Sequence, residues 1–208
     1  MENPEKPSLD LFLEGDCLSS FYSLLQCGIK LKTQVGISVD AILTREFGLD
    51  SKHIEKIETV FLDGKAVDDL EASVVKDGSI LALSSAMPGL VGATLRRGSF
   101  YAAMRSQITA AGAEDSMVPQ QGMVTLKLFN LVIKELGPIF LKRGIWIAGN
   151  ALHDFLTGQP REFWRNCKAA RMDGHEVTLE TLLERRWPDA DELICLRVDM
   201  GCPEVVSD

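Results

Sequence analysis

Residues 28–49, GIKLKTQVGISVDAILTREFGL, and residues 60–83, VFLDGKAVDDLEASVVKDGSILAL, decide the reading of this chain. Cys27, Ile29 and Leu31 alternate with other residues, the period of two expected of a half-buried strand. A short helix is expected over 38–47. Ser38 is its N-cap, Ile37 and Ile42 are placed to form a hydrophobic staple, and Val39, Ile42, Leu43 and Phe47 make one apolar face before Gly48. The second stretch reads as a strand, a tight turn at Asp63-Gly64, and an apolar closing strand through Ile80, Leu81 and Leu83.

The same pattern returns further along. Leu9, Leu11 and Leu13 have a counterpart in Val124, Leu126 and Leu128, and Gly28-Ile29 in Gly144-Ile145. A second helix is expected over 150–157, capped by Asn150, with Leu152, Phe155 and Leu156 on its face. Asp173-Gly174 repeats the turn, Val177 follows it as Val67 follows the first, and Leu193, Ile194 and Leu196 repeat the closing strand. The expected organisation is therefore two versions of one α+β unit, at 8–85 and 123–200, joined by a linker over 86–122 that contains a short helix. Neither helix is long enough to stand alone, so each must lie on a sheet. The expected interiors are Leu11, Leu13, Ile29, Leu31, Ile42, Leu43, Leu62, Leu81 and Leu83, and then Leu126, Leu128, Ile145, Ile147, Phe155, Leu156, Ile194 and Leu196.

A hairpin, a crossing helix and returning strands make the β-grasp arrangement, and the two quoted stretches resemble ubiquitin-like proteins. VFLDGKAVDDLEASVVKDGSILAL is similar to the small sulfur carriers of molybdopterin and thiamine biosynthesis, with Lys76-Asp77-Gly78 at the place of their last turn. The resemblance implies a fold of two tandem β-grasp units. It does not carry over the carrier activity, which needs a terminal Gly-Gly carboxylate. Gly89 and Gly92 are neither adjacent nor terminal, and the second unit runs on past Gly201.

Composition narrows the function classes. The chain has 208 residues, 46% apolar and 25% charged, with a formal net charge of -8. Such an acidic chain is not expected to bind nucleic acid. Lys134, Glu135, Lys142 and Arg143 interrupt its most apolar stretch, so no membrane span is expected. The opening MENPEKPS lacks the basic and apolar regions of a signal peptide, and a cytoplasmic location is expected. The five cysteines, Cys17, Cys27, Cys167, Cys195 and Cys202, include no C-x-x-C pair. A Cys17–Cys27 bridge would require the two to face each other across a hairpin.

His53, His153 and His175 have no metal-ligand spacing, and no nucleophile elbow, phosphate loop or dinucleotide fingerprint occurs. The acidic pieces Asp68-Asp69 and Asp189, Asp191, Glu192 read as solvated turns. No catalytic residue, metal or cofactor is therefore assigned. The linker carries the candidate site. Arg96, Arg97 and Arg105 are interleaved with Leu90, Val91, Phe100 and Tyr101, and Ser99 would cap a helix with Phe100, Met104 and Ile108 on one face. Arginines recognise carboxylates and phosphates, so these three are the expected ligand- or partner-binding residues. The expected function is a non-enzymatic binding or scaffold protein that engages a protein partner or a second copy of itself. The alternatives are a small-molecule- or anion-binding module and an accessory factor in sulfur-carrier or cofactor assembly.

Overall fold

The computed structural model describes residues 7–86, 89–98, 118–185, 187 and 192–201. Its strands are β1 (Ser8–Leu13), β2 (Ile29–Val35), β3 (Ile37–Ser38), β4 (Thr59–Leu62), β5 (Lys65–Ala66), β6 (Val74–Val75), β7 (Ile80–Ser84), β8 (Gln120–Phe129), β9 (Ile145–Ala148), β10 (Cys167–Met172), β11 (His175–Glu176) and β12 (Leu193–Asp199). The helices are α1 (Tyr22–Cys27), α2 (Val39–Ala41, continued by a π-type turn over Ile42–Glu46), α3 (Ser51–Glu55), α4 (Gly89–Leu95), α5 (Leu131–Arg143), α6 (Gly149–Thr157), α7 (Arg161–Asn166) and α8 (Leu179–Glu184). The chain is a mixed α/β protein, and none of its described helices is long and apolar enough to cross a membrane.

It divides into two compact units. A central unit holds 25–137, and a terminal unit holds 1–24 with 138–208. In the central unit the strand order is β2-β8-β7-β4-β5. β2 runs antiparallel to β8, β8 parallel to β7, β7 antiparallel to β4, and β4 antiparallel to β5. In the terminal unit the order is β9-β12-β1-β10-β11, with the same succession of antiparallel, parallel, antiparallel and antiparallel neighbours.

The two frameworks share the bonds that anchor their Asp-Gly turns. Asp63 N–H donates to Ile80 O (2.9 Å) and Asp63 Oδ1 accepts from Ile80 N–H (2.7 Å). Asp173 N–H donates to Ser8 O (3.0 Å) and Asp173 Oδ1 accepts from Ser8 N–H (2.8 Å). Thr125 N–H reaches Ser79 O at 2.9 Å, and Cys195 N–H reaches Pro7 O at 3.0 Å. Both Asp-Gly turns place Asp and Gly at positive φ, 50° and 78° in one and 51° and 80° in the other, the geometry of a two-residue hairpin turn.

These bonds correct the expected correspondence. β7 occupies the place of β1, and β8 the place of β12, whereas the sequence pattern matched β1 with β8 and β7 with β12. The opening strand expected at the start of 8–85 lies in the terminal unit, and the strand that opens 123–200 lies in the central one. All four strands carry the same alternating apolar residues. Alternation fixes which face a residue takes and leaves the choice of neighbour to tertiary packing.

The expected interior residues are buried, none more than 7% exposed. The Ser38 cap is present, its Oγ accepting from Ala41 N–H at 3.2 Å. The cap of α6 differs from expectation. Ala148 holds that position with no side-chain bond, and Asn150 Oδ1 accepts instead from Ala151 N–H. Between the expected first and second strands of the later unit stands α5, which the sequence reading did not anticipate. Gly137-Pro138 in its middle reads as a break, yet Val132, Ile133, Leu136, Phe140 and Leu141 line its buried side at helical spacing.

Candidate sheet-face binding site

The arginines that carried the sequence-based site are held in structural contacts where they are described. Arg96 Nε lies 2.6 Å from Glu58 Oε2. Arg97 Nη2 donates to Ile57 O at 2.7 Å and to Ile54 O at 3.5 Å, and its main-chain N–H donates to Glu58 O. Burial lowers the Arg97 guanidinium below its ordinary value, and the Asp40 carboxylate opposes that shift. Arg97 thus pins the end of α4 to the loop before β4. Arg105, Ser99, Phe100, Met104 and Ile108 lie outside the described residues. Replacing Arg97 with Ala is expected to cost about 1–3 kcal/mol, because two carbonyls lose a charged donor. The exposed Arg96–Glu58 pair is worth about 0–1 kcal/mol, so Arg96→Ala should leave the melting midpoint nearly unchanged. Equal midpoints for the two variants would count against this assignment.

The described cysteines and histidines lie in the following surroundings. Cys17 and Cys27 are not joined by a disulfide, Cys17 being buried and Cys27 exposed, so the conditional bridge is not formed. Cys167 borders a cavity of about 210 Å³ with Trp164, Lys168, Thr178, Leu179 and Leu182. Burial raises its thiol pKa, with a main-chain hydrogen bond of Ala169 opposing and Cys17 adding to the shift, so the thiol stays protonated and weakly nucleophilic at neutral pH. His175 is exposed at the start of β11, just after the Asp173-Gly174 turn. His53 Nδ1 sits 2.7 Å from Asp50 Oδ1, where Asp50 caps α3 by accepting from His53 N–H. That main-chain bond is the largest cause holding the Asp50 carboxyl below its ordinary value. No group of three or more His, Cys, Asp or Glu among the described residues is arranged to hold a metal ion.

The feature both units share lies on the outward side of each sheet. Inward residues of β2, β7 and β8 (Ile29, Leu31, Leu81, Leu83, Val124, Leu126 and Leu128) are buried, so Lys30, Ile80, Ala82, Thr125 and Lys127 take the other side by alternation. In the terminal unit the matching positions are Trp146, Ser8, Asp10, Cys195 and Arg197.

Each face lays a basic side chain beside a glycine that no other residue can replace without strain. A Cβ on Gly28, at φ 122°, would stand 2.8 Å from Thr125 Cγ2 and 3.2 Å from Lys127 Cε. One on Gly144, at φ 105°, would stand 3.1 Å from Cys195 Sγ and 3.2 Å from Arg197 Cγ. The surroundings then diverge. In the terminal unit Arg197 Nη1 meets Asp10 Oδ1 at 3.3 Å, and Asp10, Trp146, Cys195 and Arg197 border an open depression of about 390 Å³. In the central unit neither Lys30 nor Lys127 has an ion-pair partner among the described residues. The strand alternation carried the signal for these residues, but the sequence reading used it only to choose the core.

No protein-family model, curated protein or solved structure matches this chain.

Proposed function

We propose that the chain is a non-enzymatic binding or scaffold protein made of two β-grasp-type modules, each offering the outward face of its sheet to a protein partner. The β-grasp reading is supported by the antiparallel pair, the helix packed on one sheet face and the returning strands of each unit, with the edge-to-centre order of strands the same in both. In this reading the modules are permuted relative to the sequence repeats, β8 and β12 completing their sheets from the C-terminal side.

The observation that carries the binding role is the repeated outward cation over a positive-φ glycine, Lys127 on Gly28 and Arg197 on Gly144. A core needs inward residues to match, and places no such demand on an outward one. The common frame with different neighbours supports two faces of different specificity, which suits a scaffold. The arginine-centred anion site receives less support, because Arg96 and Arg97 are already engaged.

The test is co-purification of the tagged full-length chain from its source cell, repeated with Lys127→Glu and with Arg197→Glu. Each substitution should release a partner that the native chain retains, with the melting midpoint unchanged. Retention of every partner by both variants would overturn the sheet-face reading.

A further inference from the structure

We infer that the outward face of the central unit takes an acidic protein segment that also carries a bulky apolar side chain. This rests on the sheet-face reading above and names the partner chemistry for one face.

Two rows of side chains cross that face in register. Phe61 pairs with Ala82, and Ala82 with Lys127. Ile80 pairs with Thr125, and Thr125 with Lys30. Each row runs from an apolar residue through a small one to a cation. Neighbouring strands are about 4.8 Å apart, so the apolar and cationic ends of a row are about 10 Å apart. Ile80 is 42% exposed, unusual for an isoleucine on a strand, while Phe61 and Ala82 are partly exposed beside it. At the other end stand Lys30 and Lys127, with no ion-pair partner among the described residues, on a protein whose net charge is -8.

An acidic segment places its carboxylates on Lys30 and Lys127 and removes Ile80 from water with its apolar residue. Both ends of the rows are then satisfied, which a purely anionic ligand does not achieve. A nucleic-acid backbone would call for a longer stripe of cations than Lys30, Lys32 and Lys127 provide on the outward sides of β2 and β8. In the matching rows of the terminal unit, Arg171–Asp10–Arg197 and Ser8–Cys195–Trp146, Arg197 is already paired with Asp10 and neither row sets an apolar residue opposite a cation, so the same segment finds no equivalent match there.

The experiment uses the full-length chain and a fluorescein-labelled peptide in which four glutamates precede a leucine, with a glutamine-for-glutamate counterpart. Anisotropy should show the glutamate peptide binding at least tenfold more tightly, with binding weakening as salt is raised. Lys30→Glu with Lys127→Glu should reduce binding at least tenfold at an unchanged melting midpoint, and Lys30→Arg with Lys127→Arg should retain it. Amide shifts in the labelled protein should gather at residues 30, 61, 80, 82, 125 and 127.

Equal binding of the two peptides would overturn the inference. Shifts gathering at 146, 195 and 197 would also overturn it while leaving the sheet-face reading intact. Absence of binding at either face would remove the inference here, whereas only the co-purification result bears on the general reading. Stronger competition by a polyuridylate oligomer or by phosphatidylserine vesicles than by unlabelled peptide would overturn the choice of a protein partner.

Discussion

Deleting residues 1–13 is expected to unfold the terminal unit and leave the central unit folded. β1 is an interior strand of the terminal sheet, bonded to β12 on one side and to β10 on the other. Leu9, Leu11 and Leu13 are fully buried there. Its loss opens the ladder between two strands that do not otherwise meet, and strips the sheet of three leucines, each worth about 1.5–3 kcal/mol when fully buried. Together these come to about 4.5–9 kcal/mol, comparable with the 5–15 kcal/mol that holds a whole domain. Hydrogen exchange reads the outcome residue by residue. Amides of Ile145, Ile147, Ala170 and Leu196 should lose protection, while those of Ile29, Leu31, Leu81 and Leu126 keep it. The reverse pattern would return β1 to the strands over 28–85 and undo the exchange of strands described above. Leu11→Ala, a milder change, should cost about 2–5 kcal/mol in the terminal unit only.

The same strand shows what the amino-acid sequence carried and where it stopped. Side-chain alternation is a local property, so the burial of Leu11, Ile29, Leu81, Leu126 and Ile194 could be read directly. Capping and turn chemistry are local too, which is why Ser38 and the two Asp-Gly turns stand where they were expected. Strand pairing is not local. Leu9-Leu11-Leu13 and Val124-Leu126-Leu128 present equivalent faces, and either fits beside a parallel apolar strand.

The helices at 22–27 and 131–143 were hidden for a different reason. Each replaces what looked like the connection of a hairpin, and Pro138 removed the usual helical signal from the longer one. The site residues were hidden because their chemistry is ordinary. Lys30, Lys127 and Ile80 become informative only when register sets them in rows, and rows do not exist before the strands are ordered. Arg96 and Arg97 were conspicuous in sequence, and their contacts are with the main chain and Glu58.

Phe21→Ala is the point substitution expected to do most damage, at about 3–5 kcal/mol. Phe21 closes the short helical turn Leu18–Phe21 and is fully buried. Its ring lies 5.0 Å from that of Phe155 and 5.9 Å from that of Phe163, and these two meet edge-on at 6.1 Å. The three rings join the segment after β1 to α6 and α7, elements far apart in the chain. Truncation removes one ring's burial and two ring–ring contacts, each worth about 0.5–1.5 kcal/mol beyond area. It also leaves a cavity that the rigid neighbours close only in part. Phe21→Leu keeps most of the volume and loses the ring geometry, so it should fall between the native chain and Phe21→Ala. The measurement is chemical denaturation followed by amide signals of Leu152, Phe155 and Phe163 beside those of Ile42 and Leu43. The first set should shift to lower denaturant, and the second should stay. An unchanged midpoint at Phe155 would mean that Phe21 does not support the terminal unit, and would separate the segment after β1 from the strand before it.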